Sequence, residues 1–285
     1  MIWVGGRVVP DEALKVSVLD RTFEHGLGLF ETLRTWNGRA PLLDRHMARM
    51  ARSARELGLP YATVVPPDDK AVAGLVEAAG LGDEVVLRIT LSGGLSEAAG
   101  ATLWMRAAPL PPLLRRGGAV VDLGSWLVNP VEPLARFKSL NYWSRRRAHE
   151  SALALRLDEV LSFTGAAGVT KVWEGSRTNV FAVKGNTLRT PGTGGPIVPG
   201  VMREVVIERA VERRLDVEET HGLRLWELTE ADEVFLTNSV RGVVPVARLM
   251  VSGREETHNW PAPGPVTRDL SLLVSAYLEP KGGPT

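Results

Sequence analysis

In the run FKSLNYWSRRRAHESALALRL (137–157) a lysine follows the opening Phe137, and the spacing predicts a helix over 138–157. Short apolar runs then follow quickly: EVLSF (159–163), GVTKVW (168–173) and NVFAVKG (179–185), with TLRT (187–190) closing a hairpin. A glycine–proline loop, TPGTGGPIVPG (190–200), feeds a second helix, VMREVVIERAVERR (201–214). DEVFLTNS (232–239) reads as a strand ending in a polar turn, and GPVTRDLSLLVSAYLE (264–279) as a closing helix. This half is strand-rich with helices laid between the strands.

Towards the N-terminus, IWV (2–4) and RVV (7–9) flank Gly5-Gly6, a tight hairpin. The second half of FEHGLGLFETLRTW (23–36) reads as a strand. DRHMARMARSARELG (44–58) is a helix with Asp44 as its expected cap and Met47, Met50, Ala54 and Leu57 on one stripe. Asp68 or Asp69 caps another helix through Ala79, and residues 84–94 and 101–110 read as adjacent strands. Between about 107 and 133 the Pro- and Gly-rich texture marks a crossing between two bodies, with a strand at 119–123. The expected fold class is α+β with two domains: a small N-terminal domain over 1–122, a crossing at 123–133 and a C-terminal domain over 134–285.

Composition narrows the chemistry. The 285 residues carry 34 basic and 33 acidic side chains, a net charge of +1, so no general nucleic-acid partner is implied. Cysteine is absent, which removes disulfides, thiolate nucleophiles and cysteine-ligated metals. The five histidines have no ligand spacing, so no metal is expected. No signal or bilayer-length apolar run is visible, so a cytoplasmic protein without a membrane partner is expected. Of the 34 bases only six are lysines: Lys15, Lys70, Lys138, Lys171, Lys184 and Lys281.

Lys138 stands at the mouth of the expected helix, with Arg136 and Arg145 near it in sequence. Neighbouring cations favour a neutral amine, which can attack a carbonyl. A solvated surface lysine is the plainer alternative. Glu174 ends an apolar strand, where a carboxylate can face a ring nitrogen or simply terminate the strand. PGVMRE (199–204) puts glycine before a helix, so that the amides of Val201 and Met202 point outward. TNSVRG (237–242) offers the Ser239 hydroxyl and the amides after it. Arg49, three residues after His46, can grip a phosphate or line a solvated face. Together these outline a phosphorylated aldehyde cofactor.

The motifs DRTFEHGLGLFETLR (20–34), LLDRHMARMARSA (42–54), LRITLSGG (87–94), FKSLNYW (137–143), VWEGSRTNVF (172–181), TPGTGGPIVPGVMRE (190–204) and EVFLTNSVRGVVPV (233–246) occur in one order. In that order they resemble the fold-type IV pyridoxal-phosphate enzymes, which include branched-chain and D-amino acid aminotransferases, (R)-selective amine transaminases and aminodeoxychorismate lyases. The resemblance implies a small N-terminal α/β domain and a larger C-terminal domain with a barrel-like sheet, as in D-amino acid aminotransferase. It implies pyridoxal 5'-phosphate as cofactor, Lys138 forming the internal aldimine and shuttling the substrate proton, and Glu174 pairing with the pyridine nitrogen. Arg49, the amides of Val201 and Met202, and Ser239 with Val240 would hold the phosphate. Phe30 and Trp126 would wall the substrate pocket with Tyr142 and His25, and Arg88 would meet a substrate carboxylate. An amino donor and a 2-oxo acid acceptor are the implied partners, in a homodimer or larger homo-oligomer. The KxxNY spacing of FKSLNYW and the TNSVRGVVPV segment lean towards the D-aminotransferase and lyase style. The implied activity is amino transfer, the first alternative is 4-amino-4-deoxychorismate lyase releasing pyruvate and 4-aminobenzoate, and a non-enzymatic scaffold is the contrasting class.

Overall fold

The computed structural model describes residues 1–112, 117–166, 169–252 and 257–279. Gly168, which opens the strand expected at 168–173, and Lys281 lie outside them. The chain divides into two compact units. Among the described residues, the first comprises Met1–Pro111, Phe137–Tyr142 and those from Tyr277 to Glu279; the second comprises those within Pro112–Arg136 and Trp143–Ala276. The expected crossing lay at 123–133; the division falls instead at Pro111/Pro112, and the chain returns to the first unit at Phe137.

The first unit holds β1 (Ile2–Val4), β2 (Arg7–Val9), α1 (Arg21–His25), β3 (Gly28–Arg34), α2 (Leu43–Glu56), α3 (Asp69–Ala79), β4 (Val85–Ser92) and β5 (Leu103–Pro109). The strands form an antiparallel sheet in the order β2-β1-β5-β4-β3. Strand alternation sends Val85, Leu87, Ile89 and Leu91 into one core with Leu29, Leu33 and the helix residues Met47, Met50, Val72 and Leu75. Truncating a fully buried member such as Ile89 to alanine costs about 2–5 kcal/mol. Asp68 caps α3, its carboxylate accepting the Ala71 amide at 2.8 Å. Asp44 does not cap α2: the helix begins at Leu43, behind Leu42, and has no side-chain cap. Asp44 therefore lies inside the first turn, where its charge favours the helix dipole.

The helix expected over 138–157 is shorter, because its first residues pair with a strand. The Phe30 amide donates to the Lys138 carbonyl at 2.9 Å and the Leu140 amide to the Gly28 carbonyl at 3.0 Å, with a bridge between Leu29 and Ser139. Those backbone groups, spent on the edge of β3, cannot enter a helical ladder. Gly28 makes the approach possible: its φ of +140° suits glycine, and a Cβ there would stand 2.6 Å from the Leu140 side chain.

In the second unit, β6 (Ala119–Leu127) runs four residues past the strand expected at 119–123 and is followed by α4 (Trp143–Ala154). Next come β7 (Glu159–Ala166), β8 (Val169–Gly175), β9 (Asn179–Lys184), β10 (Thr187–Pro191), α5 (Val201–Glu212), β11 (Asp216–Thr220), β12 (Leu223–Arg224) and α6 (Leu225–Thr229). The chain closes with β13 (Glu233–Asn238), β14 (Gly242–Val251), β15 (Thr257–Asn259) and α7 (Pro265–Leu278). The sheet order is β11-β10-β9-β13-β14-β6-β7-β8-β12, and β8 also pairs with β9. That last pairing closes six strands, β9-β13-β14-β6-β7-β8, into a barrel-like sheet. Its interior is apolar, with Val121, Leu161, Val172, Val180, Leu236, Val246 and Leu249 among its buried members.

Candidate active site

In the first unit, strand alternation sorts the residues of FETLR. Phe30 and Thr32 lie on the face shared with Thr90 and Arg88 of β4, while Glu31 turns to the helix side. Lys138 is half-buried, and its Nζ stands 4.5 Å from the Phe30 ring centroid and 5.4 Å from that of Tyr142. The two rings meet edge to face at 4.9 Å, and the Arg88 guanidinium lies 3.9 Å over Phe30. Four of the expected residues, Lys138, Phe30, Tyr142 and Arg88, are thus brought together. His25 is not in this group. It ends α1 with its side chain 62% exposed and its Nε2 3.7 Å from Glu24.

Arg49 is buried on α2 and donates through Nε to Glu31 at 2.9 Å, and through a terminal nitrogen to the other carboxylate oxygen. His46, one turn earlier, lies with its Nδ1 2.7 Å from Glu31. Burial pushes the Glu31 carboxyl up, but the charges of Arg49 and His46 outweigh it and hold it at about 2. Burial also lowers His46, against the pull of Glu31. A neutral His46 must carry its proton on Nδ1 to donate to that carboxylate, which only accepts. Arg49 is therefore a preset cation, its planar fork oriented before any ligand arrives.

In the second unit, Glu174 ends the barrel strand β8 and is buried. One of its oxygens pairs with Arg145; the other accepts the Val198 amide at 3.1 Å and the Asn179 side-chain amide at 3.5 Å. Its backbone is held by Ser162, whose hydroxyl donates to the Glu174 carbonyl at 3.0 Å and accepts the Glu174 amide at 3.2 Å. The turn after it is clamped by Glu159. That buried carboxylate accepts the Ser176 amide at 3.0 Å, the Arg177 amide at 3.2 Å and the Thr178 hydroxyl at 3.1 Å, as well as the Ser176 hydroxyl. Arg145, singled out in the sequence for its nearness to Lys138, pairs with Glu174. Trp126 packs with Ala148, Ala152, Leu157 and Val160, and the Arg145 guanidinium lies 5.7 Å from its ring.

The two anion-nest candidates belong to the same unit. Gly200 is the N-cap of α5 and supplies no side-chain cap, so the Val201 and Met202 amides precede the first intrahelical bond, from Glu204 to Gly200. A Cβ at Gly200 would stand 1.9 Å from the Asn179 Oδ1, so this helix start is pressed against Asn179. Thr237 faces Asn179 across the β13–β9 ladder, and its buried hydroxyl has no hydrogen-bond partner. The Val240 amide, expected to hold an anion, instead donates to the Asn238 side chain at 3.0 Å, as does that of Arg241 at 2.8 Å. Asn179, Glu159 and Thr237 were not singled out in the sequence. The signal for Asn179 was its place five residues after Glu174 in VWEGSRTN; for Thr237 it was the strand end already marked by Ser239.

The second unit offers a barrel-like sheet with a buried carboxylate at a strand end and an uncapped helix start beside it, and the first unit an amine set against aromatic rings; each suits a small-molecule ligand. Residues 28–249 match the family model for class IV amino-transferases, and the chain belongs to that family. The aminodeoxychorismate lyase of Bacillus subtilis is 28% identical over 99% of this chain and 98% of its own. A D-alanine aminotransferase of Bacillus licheniformis is 27% identical over 94% of each chain. The crystal structure of the branched-chain aminotransferase of Thermoproteus uzoniensis superposes with a TM-score of 0.81 at 28% identity, covering 97% of this chain and 94% of that one. Class IV aminotransferases depend on pyridoxal 5'-phosphate, and that is the cofactor here. The residues fit it: the orphaned Thr237 hydroxyl and the amides at the start of α5 suit a phosphate, and Lys138 supplies an amine. Among the described residues no metal-ligand cluster occurs, and no helix is long and apolar enough to cross a membrane.

Proposed function

We propose that the protein is an aminotransferase, moving an amino group between an amino acid and a 2-oxo acid, with Lys138 as the residue that carries the cofactor. The supporting observation is the setting of Lys138, fixed by backbone pairing with β3 and aimed at Phe30 and Tyr142. When bound, the cofactor supplies the electron sink that lets a proton leave the substrate's α-carbon. Lys138 would hold the cofactor, and its Nζ would take that proton and return it. Glu174 would partner the ring nitrogen and keep its proton in place. Arg49, the Val201 and Met202 amides and Ser239 would hold the phosphate, with the Thr237 hydroxyl as a further donor. Phe30 and Tyr142 exclude water from the reacting carbon, and Arg88 orients the substrate carboxylate.

The test is borohydride reduction of the purified holoprotein followed by peptide mapping. The visible band should vanish and the pyridoxyl group should be found on Lys138; an adduct on Lys171 overturns the assignment. A second reading, aminodeoxychorismate lyase, is favoured by the Bacillus subtilis relative aligned over 99% of the chain. The two are separated in one assay. Pyruvate released from aminodeoxychorismate without a 2-oxo acid acceptor selects the lyase. Acceptor-dependent turnover of L-leucine, D-alanine or an (R)-arylalkylamine selects the transferase.

A further inference from the structure

Three consecutive arginines open α4, and only the first is buried: Arg145 continues the inward stripe of Ala148 and Ala152, three and seven residues on. Its guanidinium is held at two points, donating to the Ala135 carbonyl at 3.0 Å and pairing with Glu174. Both side chains are removed from solvent, at 10% and 3% exposure, so the pair is little screened by water or salt. Neutral donors also meet Glu174: the Asn179 amide of β9, the Val198 amide and, on its backbone, the Ser162 hydroxyl of β7. The nearby carboxylate Glu159 is turned to its own turn and interacts with His149, which also feels Glu150, Arg177 and Arg241.

Charge counting gives the consequence. Glu174 and Arg145 together are neutral. A proton on a ring nitrogen facing Glu174 would give this buried group a net positive charge, whereas Glu174 alone would give a neutral pair. We propose that Arg145 is a positioning residue that acts on the cofactor through Glu174, fixing the carboxylate while weakening it as a partner for the protonated ring nitrogen. The inference rests on the reading of Glu174 given above. It assigns this chain a ring that is protonated less firmly than an unpaired glutamate would make it, and hence a more restrained electron sink.

The experiment uses the holoenzyme reconstituted with pyridoxal 5'-phosphate carrying nitrogen-15 in the ring, whose chemical shift against pH reports protonation directly. Arg145→Gln should raise the midpoint by about one pH unit or more, a tenfold gain in proton affinity. Arg145→Lys, which keeps the charge, should stay near the wild-type midpoint. Arg145→Met fills the same stripe without charge and gives the same reading should the glutamine variant lose its fold. Glu174→Gln should lower the midpoint. An unchanged or lowered midpoint in the folded uncharged variant, with Glu174→Gln still lowering it, overturns the role of Arg145 alone. A midpoint unmoved by Glu174→Gln overturns the placement of Glu174 and the inference with it.

Discussion

Glu31 and Glu174 are both buried carboxylates paired with an arginine, one in each unit, and they are built differently. Glu31 meets Arg49 on both of its oxygens and His46 besides, all from one helix face packed on its own strand. Glu174 meets one cation on one oxygen and neutral amides on the other, drawn from α4, β9 and the loop before α5. A carboxylate answered so fully by charge is a scaffold for its partners. The proposed meeting of Glu174 with the cofactor fits the second arrangement, in which neutral donors share the carboxylate with Arg145.

Exchanging each for its amide should separate the two roles, and it carries the largest expected effects. Glu31→Gln leaves a buried guanidinium uncompensated and should cost about 3–5 kcal/mol in urea denaturation. Glu174→Gln should lower kcat on the order of 10²–10³-fold with the smaller loss of stability: it too removes a charge from a buried guanidinium, but Arg145 loses one bond and keeps the Ala135 carbonyl, whereas Arg49 loses its hold on both Glu31 oxygens. If Glu174→Gln proved the more destabilising and Glu31→Gln the more damaging to turnover, the contrast would be reversed.

Acid should find the first cluster. Glu31 is held at about 2 against an ordinary 4.5, so its contribution is complete above 4.5 and is lost as pH falls towards 2. The shift corresponds to about 3 kcal/mol. His46 acts in the same direction, because burial lowers it and the unfolded chain takes up its proton first below its ordinary 6.5. Stability measured from pH 7 to 3 should therefore fall more steeply in the wild type than in Glu31→Gln. Parallel curves would mean that the cluster does not govern acid unfolding.

The two clusters also differ in how far the sequence disclosed them. His46 and Arg49 are three apart on a helix whose stripe is plain, so their shared face was legible, although their partner Glu31 was not. Glu174 and Lys138 were found by motif, but the link from Arg145 to Glu174 spans 29 residues and depends on barrel closure, which no local period encodes. Lys138 was placed on a helix for the same reason. The run after it has helical composition, and only β3, a hundred residues earlier, takes its backbone away.

A methyl group can test the geometry of the second cluster. Gly200 has an ordinary φ of −71°, so Gly200→Ala introduces no backbone strain, only a Cβ 1.9 Å from Asn179 Oδ1. Asn179 must move, taking with it its bonds to Glu174 and to the Val198 carbonyl. Cofactor affinity should weaken at least about tenfold, measured by titrating the apoprotein with pyridoxal 5'-phosphate. Unchanged affinity would detach Asn179 from the cofactor's surroundings and leave Glu174 supported by Arg145 and Val198 alone.

The smallest expected effects concern what sets the position of α2, the helix that carries His46 and Arg49. Asp68 accepts the Ala71 amide and caps α3, so Asp68→Ala should cost about 1 kcal/mol. Asp44 makes no such bond, and Asp44→Ala should lose only a few tenths of a kcal/mol of dipole stabilisation. A helix without a side-chain cap takes its register from what it packs against, here Leu43, Met47, Met50 and Ala54 in the core and the Glu31 cluster beside them. If Asp44→Ala were as costly as Asp68→Ala, the helix start would be anchoring the cluster; a smaller cost puts Glu31 in that role, with its charges fixing the helix as the helix fixes them.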